Sequence, residues 1–589
     1  MEIDLSANKL LSKGLGVYLI TNEQFEELEK QCVFKHFLQN DRWISTLTED
    51  KDGNKFLIVF STYVVVKYKM NDIDSEETTI ILEYDNGTET IEKEFDSEVL
   101  SKIGVRVLLK YGIRYLEAYT DHLVKYLIHS DSKAPIKTSY SKLGWFADKN
   151  GVLAFKGDIA YGSTIPMTYN GKLDIKQNGS LDAWKDMVVE DVLPHTPLTF
   201  VLCLGFASPL LQWLNRTHDF GSLVFSLSQV TSTGKTTAEM LAISVMASPI
   251  MNNATLVTFN GTDNSIADFI SNCSAYTIGL DEVGMNNYSN FEKFLYRITS
   301  GRSKMRLDSY SKQREVKKYD TIVIMTAEYG LINQNTQKGL KSRIYELKDP
   351  MTPSAIVADR IKKTIVENYA VATKPYIEFL IKRAMEIEND YENEYNFLLS
   401  KCSSVKPLTR RILSKLAIVS LAGRYAVEAI GIKVDMQALR EYILELEKNI
   451  SNEPSPEEIL LEAIQRDIIE YGSRYMFNET NKPEKGYGII FSEYSTTEIY
   501  ITETSFLRIM AKNNINNWKS TLSELKRKNI LIAEKDRLTK RLKLFASMPK
   551  QKCYCFRLVD DNNDSTDNNQ NPNDELTHIE DLSFDMNDY

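Results

Sequence analysis

The chain has 589 residues, 43% of them hydrophobic and 26% charged, with a mean hydropathy of −0.31. These proportions exclude collagenous, mucin-like and disordered classes and leave a multidomain globular protein. The net charge of −10 argues against nucleic acid only until it is mapped: residues 560–589 carry ten acids and no Lys or Arg, so residues 1–559 balance 71 basic against 71 acidic residues.

Residues 1–140 mix strand-like runs (56–68, 78–84) with helical patterns (97–129), predicting an N-terminal α+β domain without a catalytic motif. A β-rich connecting segment, 141–194, follows, rich in Gly, Thr and Tyr at 158–179. Residues 197–214 (PLTFVLCLGFASPLLQWL) are apolar enough to consider as a membrane span. They are short, contain Pro197 and Pro209, and precede the motif below, so a buried helix is expected. Over 195–400 apolar strands alternate with helical patterns, the signature of a parallel α/β core. Residues 401–450 form a helical lid built on a long helix at 407–432. SNEPSP at 451–456 is a linker, 451–559 a smaller domain, and 560–589 an acidic tail. The tail either competes with nucleic acid for a basic surface or serves solubility. The six cysteines show no zinc-site spacing, and no signal peptide opens the chain, which together point to a reducing cytoplasm and to no membrane partner.

Residues 222–249 (SLVFSLSQVTSTGKTTAEMLAISVMASP) run from an apolar strand through a loop of small residues into a helix. This is the pattern of a Walker A phosphate loop. Its backbone N–H groups, from Thr231, Ser232, Thr233, Gly234, Lys235, Thr236 and Thr237, cradle phosphate at a helix N-terminus. Lys235 suits the β/γ-phosphates and the Thr236 hydroxyl suits Mg²⁺. Gln229 stands where the motif has its first Gly. Forty-six residues after Lys235, a short apolar strand ends in Asp281-Glu282, a Walker B pattern. Asp281 is placed to hold Mg²⁺ and Glu282 to polarise the attacking water. The pairing of the two motifs implies an ATPase using ATP and Mg²⁺.

A third strand, from Thr321, reaches Thr326, a candidate for sensing the γ-phosphate or orienting the water. Arg343, ahead of a further strand, is a candidate arginine finger for a neighbouring subunit's ATP; the competing reading is a surface ion pair with an acid such as Glu346. Between these lies 301–318 (GRSKMRLDSYSKQREVKK), seven basic residues against two acids. It reads as a β-hairpin with Lys312 near its tip and Arg314 beside it, suited to DNA in a ring channel or to a solvated surface. Farther on, a helix over 516–528 places Trp518, Leu522 and Leu525 on one face, followed by a strand at 530–532. A basic turn (Lys535, Arg537, Lys540, Arg541, Lys543) and a strand containing Cys553 and Cys555 on one face complete a winged-helix pattern for DNA or protein.

The run 222–343, together with 257–265 (VTFNGTDNS) and 422–426 (AGRYA), resembles the AAA+ module of the cassette chromosome helicases, MCM-like self-loading replication proteins of staphylococcal mobile elements. The resemblance covers 140–450 well and the remainder loosely. It implies an AAA+ core with a helical lid and a C-terminal winged helix, and a homohexameric ring that unwinds DNA by translocating on a single strand. Single-stranded and forked DNA and an element-encoded primase or small DNA-binding protein become the expected partners. By alignment through the long helix, Arg411 falls at the sensor-two position, with Arg410 as its fallback. Two other readings remain open: a DNA-binding AAA+ initiator without processive helicase activity, suggested by Gln229, and a protein remodeller, whose aromatic pore loop 257–265 supplies poorly despite Phe259.

Overall fold

The computed structural model describes residues 14–228, 234–283, 291–303, 317–328, 330–331, 340, 343–452, 454–477, 486–493, 496–545 and 549–559. The β-branched run expected as one strand over 56–68 breaks at Tyr63 into Lys55–Thr62 and Val64–Asp72, which join different sheets. The first lies in a four-stranded antiparallel sheet ordered Gly16–Ile20, Lys55–Thr62, Trp43–Glu49, Phe37–Gln39. The second is central in a five-stranded sheet ordered Met167–Tyr169, Ile136–Tyr140, Val64–Asp72, Thr78–Asp85, Thr90–Asp96. Met167–Tyr169 pairs parallel with Ile136–Tyr140, so the connecting segment folds back onto the N-terminal sheet. The helical pattern of 97–129 resolves into 3₁₀ turns followed by the α-helix Thr120–Lys133, which buries Leu123, Tyr126 and Leu127.

The apolar segment near 200 is the helix Thr196–Leu214, and every residue from Leu198 to Leu211 is buried. It is long and apolar enough to cross a membrane, but here it forms the axis of the largest hydrophobic core. Its internal Pro209 lacks the N–H that would donate to the Gly205 carbonyl one turn back, and the Trp145 indole N–H ties the helix to the connecting segment by donating to the Pro209 carbonyl at 2.8 Å.

That helix backs a five-stranded parallel sheet ordered Leu256–Thr258, Ile278–Asp281, Ile322–Ala327, Leu223–Ser228, Ile344–Leu347. These strands are nearly continuous apolar runs because both faces are covered. On the far side of the axial helix packs Pro407–Ile430, which Gly431 ends in the left-handed conformation at φ 74°. Ile387–Ser400 and Met436–Ser451 complete this helical layer. There the buried Glu394 carboxylate accepts both prongs of the Arg440 guanidinium, each at 2.7 Å, a geometry that compensates for its desolvation.

A capping box at Ser455 and Glu458 starts the helix Pro456–Glu470, so the linker is only a few residues long. The C-terminal unit packs this helix, Glu503–Lys512 and Trp518–Arg527 against a sheet ordered Tyr475–Phe477, Gly488–Glu493, Thr496–Thr502, Gln551–Val559, Lys540–Leu542. The strand expected at 530–532 is reduced to one bridge, Leu531 to Phe556. The wing is instead Lys540–Leu542 paired with Gln551–Val559. Cys553 and Cys555 share a buried face, and all six cysteines are free.

Candidate nucleotide site and nucleic-acid interface

Two adjacent strands of the parallel sheet carry the expected carboxylate and sensor to the same edge. Asp281 is the last residue of its strand and Thr326 the penultimate residue of the next. The Thr326 hydroxyl donates to Asp281 Oδ1 and accepts the Glu282 backbone N–H at 2.9 Å. That N–H also reaches Asp281 Oδ1 at 3.2 Å. Asp281 is 8% exposed, and these donors hold it in one orientation. Thr326 therefore acts first on Asp281 in this structure, which narrows the sensing role expected for it. Glu282 is exposed and sits at φ 59°. A left-handed conformation in a residue with a side chain is strained, and it turns the second carboxylate away from the strand line.

The phosphate loop enters the same edge from Leu223–Ser228, which lies beside Ile322–Ala327. Thr231, Ser232, Thr233 and Gln229 lie outside the described residues. Gly234 caps the helix Lys235–Ser244 at φ 82°, a region open to Gly at little cost. A Cβ there would come within 2.2 Å of Thr352 Oγ1, so this glycine answers to a close approach as well as a turn. Lys235 donates to the Ala327 carbonyl at 2.9 Å. Burial pushes its ammonium below the usual lysine range, against the pull of Glu328 and Asp281. Thr236 is half-buried on the first helical turn and Thr237 is buried.

Sequence reasoning passed over Glu239. One turn beyond Lys235, it is fully buried beside Asp281. Burial, then the Asp281 charge, pushes its carboxyl well above the usual range. Its space comes from Gly279, where a Cβ would lie 2.8 Å from Glu239 Oε1. The signal was the lone acid of the helix, set among Ala238, Met240 and Leu241. The donor set fits a magnesium nucleotide: a hydroxyl at a helix N-terminus, a lysine, and a buried carboxylate on the adjoining strand edge.

Arg343 is placed elsewhere. It precedes Ile344–Leu347, whose Ile344 stands opposite Val224 at the amino end of the phosphate-loop strand. At about 3.3 Å per residue, it lies roughly 15 Å back along the strand from the loop, beyond side-chain reach. Its guanidinium stands over Tyr296, 5.6 Å from the ring centroid, while Glu346 pairs with Lys348 at 3.9 Å. Arg411, on Pro407–Ile430, faces the same edge strand closely enough for its charge to act on Tyr345.

Lys312 and Arg314 lie outside the described residues, but the base of that segment is an antiparallel bridge between Arg302 and Lys318. In the C-terminal unit, Arg541 and Lys543 are exposed and Lys540 is half-buried. Arg537 pairs with Glu534 at 2.9 Å. Lys526 donates to the Glu534 and Arg537 carbonyls at 2.8 and 2.7 Å, tying the wing to the helix Trp518–Arg527. Lys519 and Ser523 on the open face of that helix were not singled out from sequence, because the apolar positions carried the reading.

Residues 35–318 match a family model described as a domain of unknown function, DUF927. Residues 457–562 match one described as the Cch helix turn helix domain. No curated protein matches the chain. Among solved structures, one titled "SCCmec type IV Cch - active helicase" superposes with a TM-score of 0.72 at 20% identity, covering 89% of this chain and 98% of that one. The chain thus resembles the cassette chromosome helicases beyond its motifs: it shares the fold of one of them over most of its length and ends in a domain matching their helix-turn-helix unit.

Proposed function

We propose that the chain is an AAA+ DNA helicase: an ATP hydrolase that assembles as a homohexameric ring and couples ATP turnover to movement along single-stranded DNA and unwinding of a fork. The observation that carries this reading is the division of one parallel sheet. Lys235, Asp281 and Thr326 meet at its carboxyl edge, whereas Arg343 stands at its amino edge, out of reach of its own phosphate loop. A site divided in this way is complete only between two copies. The strand order, with Ile322–Ala327 between the phosphate-loop and carboxylate strands, supports the AAA+ assignment, and the fold shared with a helicase supports the activity.

In this reading Mg²⁺, when bound, neutralises charge on the β- and γ-phosphates. Thr236 and Asp281 hold it, with Thr326 fixing the carboxylate. Lys235 leaves the Ala327 carbonyl for the phosphates. Glu282 takes a proton from water, and Arg343 from the adjacent copy compensates the transition-state charge. The segment around Lys312 and Arg314 and the basic wing supply DNA contacts. The deciding experiment measures ATP hydrolysis with and without single-stranded DNA beside strand displacement on a forked duplex. DNA-stimulated hydrolysis with displacement supports the helicase; binding and hydrolysis without displacement point to an initiator; hydrolysis indifferent to DNA removes both.

A further inference from the structure

Arg343 and Arg411 do not stand alone at the amino edge of the sheet. Lys415 lies four residues after Arg411 on Pro407–Ile430, and residues at that spacing are neighbours on one helix face. It is 6% exposed, flanked by the fully buried Leu413, Leu416 and Ala417. Burial, then the charges of Arg343 and Arg411, push its amine down to about 8. Of the acids on adjoining elements, Glu346 lies 3.9 Å from Lys348, and Glu394 takes both prongs of the Arg440 guanidinium. Among the described residues no ion pair or hydrogen bond involves the Lys415 amine.

A buried ammonium without a counter-charge is costly, and two guanidiniums beside it make the arrangement costlier still. Such a cluster is relieved by an anion arriving from outside, and the chain's own phosphate loop opens at the other end of the sheet. We propose that Lys415 is the third cation of the surface that receives the triphosphate of a neighbouring copy of this chain, seated beneath Arg343 and Arg411. Its charge directs the two guanidiniums outward and adds to the field they present, so it is a positioning residue. The inference rests on the ring ATPase reading.

The test uses the full-length protein with Lys415→Met, which keeps length and suits burial, Lys415→Gln as a second neutral variant, and Lys415→Arg. Both neutral variants should bind a fluorescent ATP analogue as wild type does, since their own phosphate loops are intact. Their kcat should fall about tenfold or more at little-changed KM, and ATP-dependent assembly measured by light scattering should weaken. Lys415→Arg should restore most of both. Mixing Lys415→Met, which retains only residual turnover, with the inactive Lys235→Ala should raise activity above that of either variant alone, because one class of interface then joins an intact phosphate loop to an intact Lys415. Neutral variants that assemble and turn over like wild type, or a loss that mixing does not rescue, overturn the assignment while the ring stands. Wild-type protein that stays monomeric in ATP and does not hydrolyse it overturns the ring reading and this inference with it.

Discussion

The two edges of the parallel sheet are chemically opposite. At the carboxyl edge Asp281, Glu282 and the buried Glu239 gather near a single lysine, Lys235, and the Thr326 hydroxyl is shared between Asp281 and the Glu282 N–H. At the amino edge Arg343 and Arg411 lie near enough to Lys415 for their charges to act on it, and burial first, then those charges, push its amine down. One edge is suited to a cation and a phosphate chain, the other to an anion alone. Parallel strands make this separation possible, because they gather all their carboxyl ends on one side and all their amino ends on the other. Under the proposed ring, the difference teaches that a site can be complete in sequence and still incomplete in one folded copy.

The largest effect falls on the carboxyl edge: Lys235→Ala should lose measurable hydrolysis and most ATP binding, in fluorescence titration and phosphate-release assays alike. If the edges are independent halves, Arg343→Ala should bind ATP normally yet lose about 1,000-fold in kcat. Mixing it with Glu282→Gln should rescue part of that loss, and equal weakening of binding would merge the two edges into one site. Thr326→Val removes one hydrogen bond to Asp281 and one acceptor for the Glu282 N–H. A loss of about tenfold in kcat/KM is expected, visible as a higher Mg²⁺ requirement. Lys312→Ala should leave basal ATPase intact while DNA stimulation and strand displacement fall. The smallest effect is expected from deleting residues 560–589: DNA affinity should rise a few-fold at low salt and converge with wild type near physiological salt. Unchanged affinity at low salt would mark the tail as a solubility appendage.

The carboxyl edge was readable in the sequence because its residues sit at strand ends beside their motifs, where local spacing determines which side chain faces which. Lys235, Asp281 and Thr326 needed only that. Lys415 was hidden because it occupies an interior position of an apolar helix, where a lysine reads as a solvent-facing residue; only the tertiary fold brings Arg343 near enough for its charge to act on it. The contact of Gly234 with Thr352 joins residues 118 apart, and no periodicity encodes it. Strand propensity over 56–68 was correctly sensed, but the break at Tyr63 is set by which sheet each half hydrogen-bonds to, a tertiary decision. The same holds for 530–532, whose apolar residues serve packing more than a ladder.

The edge strand Ile344–Leu347 is hydrogen-bonded directly to the phosphate-loop strand over four residue pairs. A ladder of that kind is stiff, so in the proposed ring the strand leading to the phosphate loop and the strand that follows Arg343 are carried on a single solid piece. A copy that tilted to accommodate its own nucleotide would swing its Arg343 by the same angle on an arm about as long as the strand. Timing between neighbours would then be kept by rigid geometry, in the manner of meshed gear teeth, with no folding or unfolding step between one turnover and the next.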